Sequence, residues 1–514
     1  MLENIIIGFA QFSPVTYLLI AAGVFVGLIF GCIPGLSATT AITIAIPMSL
    51  VLDPVSAFAL FMAMFVGGCS GGCISAILLG IPGTPSNLAT TFDGFPLAKR
   101  GEPGKALGFA IFCSFVGTLV SITALFLMAE PLSRIAIKLG PIELFGMLFF
   151  ALSLVSVLAG GNLLKSWIVA LLGIFLGMVG ISQIDGATRL TMGIRKLSSG
   201  FSTTPALLGM FVFSSLIAAS LASSSSQGEA RTINCKIKGL GFSFAELKSQ
   251  VVNIIRSTAI GLGIGILPGI GGITSNLVAY SVAKTCSKTP EKFGTGIIDG
   301  IVAPECANNG AIGGAMIPLL ALGIPGDGLT ALLLGAFELH GFVAGPSLFQ
   351  KNGTFVYAIF AALALSCILT VIVEYIGLPT LIKTLKVPTN VLMPIVMVLV
   401  MVGCFSVNNR LFECWVFLVF SLITYLLKKF KFPTTPLVLG FVLGADCEMY
   451  LRRGLMLVNN DVGSFIMNPI CLVFIILAVV CTVLLLNQDK RQQAALKAAE
   501  AASEADIDVE NIDD

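Results

Sequence analysis

The chain has 514 residues, of which 56% are hydrophobic and 11% charged, whereas ordinary soluble domains carry about 25% charged residues. That balance excludes a soluble globular protein and points to lipid as the solvent. A net charge of +2 supplies no electrostatic reason to expect nucleic acid or an acidic partner.

Apolar runs long enough to cross a bilayer as helices, about 17–25 residues, recur along most of the sequence. They fall near 15–31, 55–79, 106–129, 142–160, 163–181, 203–222, 251–267, 311–335, 354–378, 389–405, 411–427, 434–450 and 465–486. Met1-Leu2-Glu3-Asn4 lacks the basic start of a cleaved signal peptide, so the first span is expected to act as an uncleaved insertion signal. The reading is an all-α polytopic membrane protein with about 10–12 transmembrane helices and with re-entrant or broken helices among them. Basic residues cluster in short connections, such as Lys99, Arg100 and Lys105, or Lys428, Lys429 and Lys431, which marks those connections as cytoplasmic candidates.

Two stretches repeat each other half a chain apart. The first reads GCIPGLSATTAITIAIP from Gly31 and GGCSGGCISAILLGIPGTPSNLATTFDG from Gly67. The second reads GILPGIGGITSNLVAYS from Gly265 and NNGAIGGAMIPLLALGIPGDGLTALLLGAF from Asn308. Pro34-Gly35 matches Pro268-Gly269, and Pro82-Gly83 matches Pro325-Gly326. A weaker pair, LGIFLG from Leu172 and LGFVLG from Leu439, extends the duplication. The expected organisation is a first transmembrane half over 1–222, a polar linker over 223–250, a second half over 251–486 and a charged tail over 487–514. Two related halves of this kind are expected to form an inverted repeat, although inversion requires an odd number of crossings between equivalent elements and the span count leaves that open.

Proline removes a backbone donor and glycine admits positive φ, so each Pro-Gly pair should end a helix. A helix end inside the membrane leaves polar backbone groups that must be satisfied, and such ends persist where they face a cavity. The N-terminus of a half-helix suits a carboxylate, and matched interruptions in two halves are a pointer to a transporter's substrate site. The residues expected to touch substrate are Ser37, Thr39, Gly83, Thr84, Ser86, Asn87, Gly269, Thr274, Ser275, Asn276 and Gly326. Gly83 and Gly326 enter because substrate would need to approach the backbone closely there. The serines and threonines could equally be plain helix caps, and the two roles are compatible.

Ionisable groups at membrane depth are costly and usually functional. Asp93, Glu305, Asn308, Asn309 and Asp327 are therefore expected to hold a coupling ion, Na⁺ or a proton, while Asp53 and Asp299 read as interface or turn residues. No cofactor is expected, and no metal beyond a Na⁺ at those residues. The glycines Gly67, Gly68, Gly71 and Gly72 read as helix-packing positions, and Cys69 and Cys73 as small packing residues. His340 is the only histidine, which leaves little room for zinc, haem or a Ser–His arrangement.

Four segments carry a resemblance to a known family: IPGTPSNLATTFDGFPLAKRGEPGKAL from Ile81, FGTGIIDGIVAPECANNGAIGGAMIPLLALGIPG from Phe293, GATRLTMG from Gly186 and TPLVLGFVLGADCEMYLRRGL from Thr435. With them the chain, from about Gly31 to about Pro469, resembles the large membrane subunit of the tripartite tricarboxylate transporters. It departs from the family at Ser37-Ala38, where glycines are frequent, and at Asp299 and Gly310. The resemblance implies a secondary transporter of the bacterial inner membrane that imports a small carboxylate, such as citrate or a related acid. It also implies a small membrane subunit and a periplasmic substrate-binding protein as partners, with an Na⁺ or H⁺ gradient as the drive. The absence of a GxxxxGK[ST] motif agrees with transport that does not use ATP. A channel with re-entrant pore loops is the alternative, disfavoured because two unlike half-sites in one chain suit a carrier better than a filter. An intramembrane hydrolase would have to rest on His340 without any GxSxG.

Overall fold

The computed structural model describes residues 2–158, 163–211, 237, 239–269, 271–385 and 389–483. The chain begins with α1 (Leu2–Ala10), α2 (Pro14–Cys32), α3 (Ala38–Met48), α4 (Pro54–Leu79), α5 (Thr90–Lys99) and α6 (Pro103–Ala136). Then come α7 (Pro141–Leu158), α8 (Leu163–Gly177), a two-stranded hairpin of β1 (Gly180–Ile181) and β2 (Thr188–Arg189), and a helix over 203–211, α9. The five-helix set α2–α6 has a counterpart in a second set, α10 (Phe244–Ile266), α11 (Gly271–Cys286), α12 (Asp299–Leu322), α13 (Gly328–Leu339) and α14 (Pro346–Thr384). The remaining helices are α15 (Thr389–Asn408), α16 (Leu411–Lys429), α17 (Thr435–Leu457), α18 (Val462–Ile466) and α19 (Pro469–Val483).

Among the described residues, five helices are long and apolar enough to cross a membrane: α2, α4, α6, α14 and α16. The expectation of ten to twelve came from apolarity alone. Several of the other helices are too short, as α8 is, or carry polar residues because protein rather than lipid surrounds them. In α12 every residue from Gly300 to Ala321 is buried, including Glu305, Asn308 and Asn309. The run 311–335, read as one span, contains the end of α12, a break and the start of α13. Helix α10 begins inside the stretch read as a linker, where Ser243 and Glu246 form a reciprocal cap at Phe244. Most of that linker, the end of the run 203–222 and the tail lie outside the described residues.

Helices α2 and α4 pack backbone to backbone. A methyl group on Gly67 would stand 2.6 Å from the Val24 carbonyl oxygen, and one on Gly71 would stand 2.7 Å from that of Leu28. In lipid the attraction between helices comes from such close approach, because apolar side chains gain nothing by leaving hydrocarbon. The pair α10 and α12 repeats the arrangement: a methyl on Gly310 would lie 3.0 Å from the Thr258 carbonyl, and one on Gly314 2.7 Å from that of Leu262. The last helix of each five-helix set crosses to the other set. Helix α6 runs along α12, with Ser121 hydrogen-bonded to the Gly313 amide, and α14 runs along α4.

A second layer joins α7, α8 and α17. The motifs LGIFLG and LGFVLG meet there: methyl groups on Gly173 and Gly440 would collide with the backbones of Leu437 and Ala170. The hairpin docks on α17 through Arg189, whose guanidinium donates to both oxygens of Glu448, at 2.6 and 2.5 Å. Arg452 donates to Asp185 at 2.7 Å and holds its carboxyl well below the usual carboxylate range. Two of the four family-like segments, GATRLTMG and TPLVLGFVLGADCEMYLRRGL, are thus tied to each other by charge.

Candidate functional site

Each five-helix set is interrupted twice, and the four interruptions converge. Helix α4 ends at Gly80 and α12 at Gly323, both in the left-handed conformation at φ +70° and +74°, which a side chain would strain. Three residues beyond each comes the second glycine of the GIPG motif. A methyl on Gly83 would run into the Gly31 carbonyl oxygen and lie 2.5 Å from Ser75 Oγ; one on Gly326 would lie 2.6 Å from the Ala315 Cα. These glycines therefore permit the break to lie flat on the neighbouring helices. The sequence reading had them admit substrate to the backbone; neither lines the cavity described next. In the second set the two breaks are joined directly, the Gly269 amide donating to the Gly326 carbonyl at 2.7 Å.

Immediately after each GIPG a polar side chain bonds the residue three places on, but only the second is a side-chain helix cap. Thr84 Oγ1 donates to the Asn87 side-chain Oδ1 at 2.5 Å, ahead of a single 3-10 turn over Pro85–Asn87. Asp327 Oδ1 accepts from the Thr330 amide at 2.8 Å and from its hydroxyl at 2.7 Å, while the Asp327 amide donates back to Thr330 Oγ1. At the first break, Ser37 caps α3 by accepting from the Thr40 amide at 3.4 Å, a long bond that leaves the hydroxyl available.

Between these caps lies a cavity of about 310 Å³. Ser37, Thr39, Thr84 and Ser86 line it from the first set; Gly269, Gly271, Gly272, Asn308 and Asp327 line it from the second. Phe65, Cys69, Met210, Phe211, Thr434 and Thr435 contribute to the remaining wall. The size is that of a site for a small molecule. Among the described residues Asp327 is the only carboxylate in its lining, and no lysine, arginine or histidine lines it. The rest of the polar lining is hydroxyl, amide and helix N-terminal backbone.

The other sequence candidates lie outside this lining. Glu305 is fully buried, its Oε1 accepting from Asn87 Nδ2 at 2.9 Å and Thr90 Oγ1 at 2.5 Å, its Oε2 from Ser114 Oγ at 3.0 Å. Asn309 donates to the Glu305 carbonyl and receives from Thr118, so Asn87, Glu305 and Asn309 form one network behind the cavity. Asn308 spans the two regions, lining the cavity while its amide donates to the Cys69 carbonyl at 3.3 Å. Asp93 sits elsewhere. It gathers the amides of Gly294, Gly296 and Ile297 and the Tyr280 hydroxyl, at 2.7–3.1 Å, and so clamps the α11–α12 connection onto α5. With its lone pairs occupied by four donors it offers little to an ion. Asn276 accepts from the Ala89 amide and donates to the Pro304 carbonyl, and Ser275 donates to the carbonyls of Gly272 and Ala307. These two fasten α11 to its neighbours, and Thr274 beside them is half-buried outside the cavity.

Sequence reasoning missed Gly271, Gly272, Cys69, Thr434 and Thr435 in the lining, and Thr90 and Ser114 on Glu305. Thr434 and Thr435 carried a usable signal, as a polar pair before Pro436 at the head of a family-like segment. The His340 imidazole is tied to Ser49 at 2.9 Å and takes no part. Among the described residues no cluster of three or more histidine, cysteine, aspartate or glutamate side chains could hold a metal ion.

Comparison with known proteins agrees with the fold. Residues 17–439 match the tripartite tricarboxylate transporter TctA family. The chain is 32% identical over 493 residues to an "uncharacterized 52.8 kDa protein in TAR-I ttuC' 3'region" of Agrobacterium vitis, which covers 95% of this chain and 96% of that one. It is 36% identical over 223 residues to an "uncharacterized protein in TAR-II ttuC' 3'region" of the same organism, covering 43% of this chain and 92% of that one. No solved structure matches it.

Proposed function

The chain belongs to the tripartite tricarboxylate transporter TctA family, and from that premise we propose that it imports a small organic carboxylate through the cavity between its four helix breaks. In this reading it is the large membrane subunit of a bacterial inner-membrane system, working with a small membrane subunit and a periplasmic substrate-binding protein. A gradient of Na⁺ or H⁺ supplies the drive. The two sets of five helices are an inverted repeat, and their short helices α3, α5, α11 and α13 are re-entrant elements of about 10–16 residues, too short to span lipid.

The observation that carries the reading is the convergence of the four breaks on one largely apolar cavity, with a few polar groups and, among the described residues, Asp327 as its sole carboxylate. A substrate carboxylate rests on the N-terminal amides of α3 and α11 and accepts from Ser37, Thr84 and Ser86. Asp327 would repel that anion in a site poor in water. The repulsion vanishes when Asp327 holds a proton or Na⁺, so cation and substrate enter together and neither moves productively alone. That gives symport a physical cause: the coupling ion is the counter-charge that the lining lacks.

Reconstitution tests it. Proteoliposomes holding both membrane subunits should accumulate a carboxylate only when the binding protein and an imposed cation gradient are both supplied. High-affinity accumulation without the binding protein, or at full rate with no cation gradient, contradicts the proposal.

A further inference from the structure

We propose that Glu374 is a proton-binding group that ties the position of α4 to the proton gradient; the proposal rests on the transport reading above and names its coupling ion. Glu374 lies on α14, fully buried, and its surroundings set it apart from Glu305 and Asp93. Glu413 of α16 also has one donor and an unpartnered oxygen, but its donor, Asn408 at the end of α15, stands on a helix that lines no part of the cavity. The Glu374 Oε1 accepts a single hydrogen bond, from Ser70 Oγ of α4 at 2.8 Å, and its Oε2 is buried with no partner. Glu305 has three donors over both oxygens, and Asp93 has four.

The titratable groups that face Glu374 are Cys32 from α2, Cys73 from α4, Glu305 from α12, and Cys367 and Tyr375 of its own helix. Cys113 of α6 stands toward Tyr375, while α1 meets α14 several turns away, near Tyr357 and Ala361. Among the described residues none of these is a base. A lone carboxylate in such a place pays a desolvation cost that only a bound cation removes. Ser70 is the single polar oxygen hydrogen-bonded to it, too few for a metal ion, whereas a proton needs none.

The neighbour that matters is α4. Cys69 lines the cavity and Ser70, the next residue, is the donor to Glu374. A shift of α4 that reshapes the cavity therefore also withdraws the hydroxyl and admits water to Glu374. The carboxylic acid then releases its proton to water on the side that has opened, leaving the carboxylate, and the return step needs a proton from the other side. No other bond is made or broken.

Glu374→Gln, an isosteric and permanently neutral replacement, separates the possibilities. The full transporter with both partner subunits is reconstituted, and radiolabelled citrate, succinate and benzoate are followed in two assays. For whichever acid the native protein carries, counterflow needs no net proton movement, and in Glu374→Gln it should stay within about twofold of the native rate. Accumulation on an imposed proton gradient should fall at least about tenfold in the same vesicles. Ser70→Ala, which keeps the carboxyl and removes its only donor, should move the pH at which accumulation is half-maximal by about one unit. Glu374→Gln accumulating like the native protein, Ser70→Ala leaving the pH profile in place, or native accumulation that follows a Na⁺ gradient and ignores a proton gradient would each overturn the proposal and leave the transport reading standing. Absence of both counterflow and accumulation in the native protein would instead overturn the transport reading.

Discussion

The second breaks of the two helix sets are built alike and charged differently. Gly80, Gly83, Thr84 and Asn87 occupy the places that Gly323, Gly326, Asp327 and Thr330 occupy in the other set, down to a left-handed glycine and a side chain that bonds the residue three places ahead. In the first set that side chain is a neutral hydroxyl bonded to the Asn87 side chain, and in the second it is a carboxylate that caps α13. The central helices diverge in the same sense. Aligned on Gly67 and Gly310, Met62, Phe65 and Val66 of α4 stand where α12 has Glu305, Asn308 and Asn309. Backbone geometry is common to both sets because each break ends a helix at a left-handed glycine and lies flat on its neighbours. At the breaks and central helices the carboxylates belong to the second set alone, and in the proposed reading that set would hold the ion while the other offers hydroxyls to the anion.

That contrast breaks first at the two aspartates that look interchangeable in the sequence. Asp93→Ala should be the more damaging, by about 3 kcal/mol or more, because it strands buried donors that each cost roughly 1–3 kcal/mol when left unpaired. Its signature is loss of folded protein in size-exclusion chromatography after extraction. Asp327→Asn keeps a good helix cap, so the protein should purify normally while gradient-driven accumulation is lost. Normal folding of Asp93→Ala, or normal accumulation by Asp327→Asn, would erase the distinction between a clamp and an ion site.

A smaller effect is expected at the glycines that the two sets share. Gly83→Val and Gly326→Val should each cost about 1–3 kcal/mol through overpacking, and to similar degrees. Thermal unfolding of the purified subunit complex measures it. A large loss at one and none at the other would show that the two breaks are not equivalent in packing.

The smallest concerns the link between α6 and α10 at their starts. Lys105 reaches Glu246 at 2.5 Å and holds its carboxyl down to about 2. A carboxyl with a lowered folded value stabilises above its unfolded value near 4.3 and loses that contribution as pH falls toward 2. Both partners are partly exposed, so Lys105→Met should cost no more than about 1 kcal/mol at neutral pH, a cost that fades as pH falls through about 2. A cost that persists at low pH would point to packing of the lysine stem instead.

Much of this was legible before any coordinates. The Pro-Gly pairs located all four breaks, since proline and glycine act locally and independently of what surrounds them. Of the candidate residues, Ser37, Thr39, Thr84, Ser86, Gly269 and Asp327 line one cavity because they lie in or just after the breaks, while Asn308 reaches it from the middle of α12. Asn276 and Ser275 lie outside that cavity, since a polar side chain after a break can face the cavity or the adjacent helix, and sequence carries no record of the rotation of α11 about its axis. Asp93 also lies outside it, and its partners, Gly294 to Ile297 and Tyr280, come from about two hundred residues away along a path no local pattern predicts. Glu374 escaped notice because a single acid within a long apolar run shows nothing of whether its oxygens are paired.

The account turns on the cavity being the carboxylate site, and equilibrium binding tests that most directly. Binding of a transported carboxylate to the purified membrane subunits should be compared for Ser86→Ala and Thr274→Ala, two small polar positions that each follow a Pro-Gly pair but lie inside and outside the cavity. Ser86→Ala should raise the dissociation constant by roughly threefold to tenfold, the worth of one hydrogen bond, and Thr274→Ala by less than about twofold. Weakening at Thr274 with native affinity at Ser86 would contradict the account and move the substrate out of the cavity, to the half-buried side of α11 that carries Thr274.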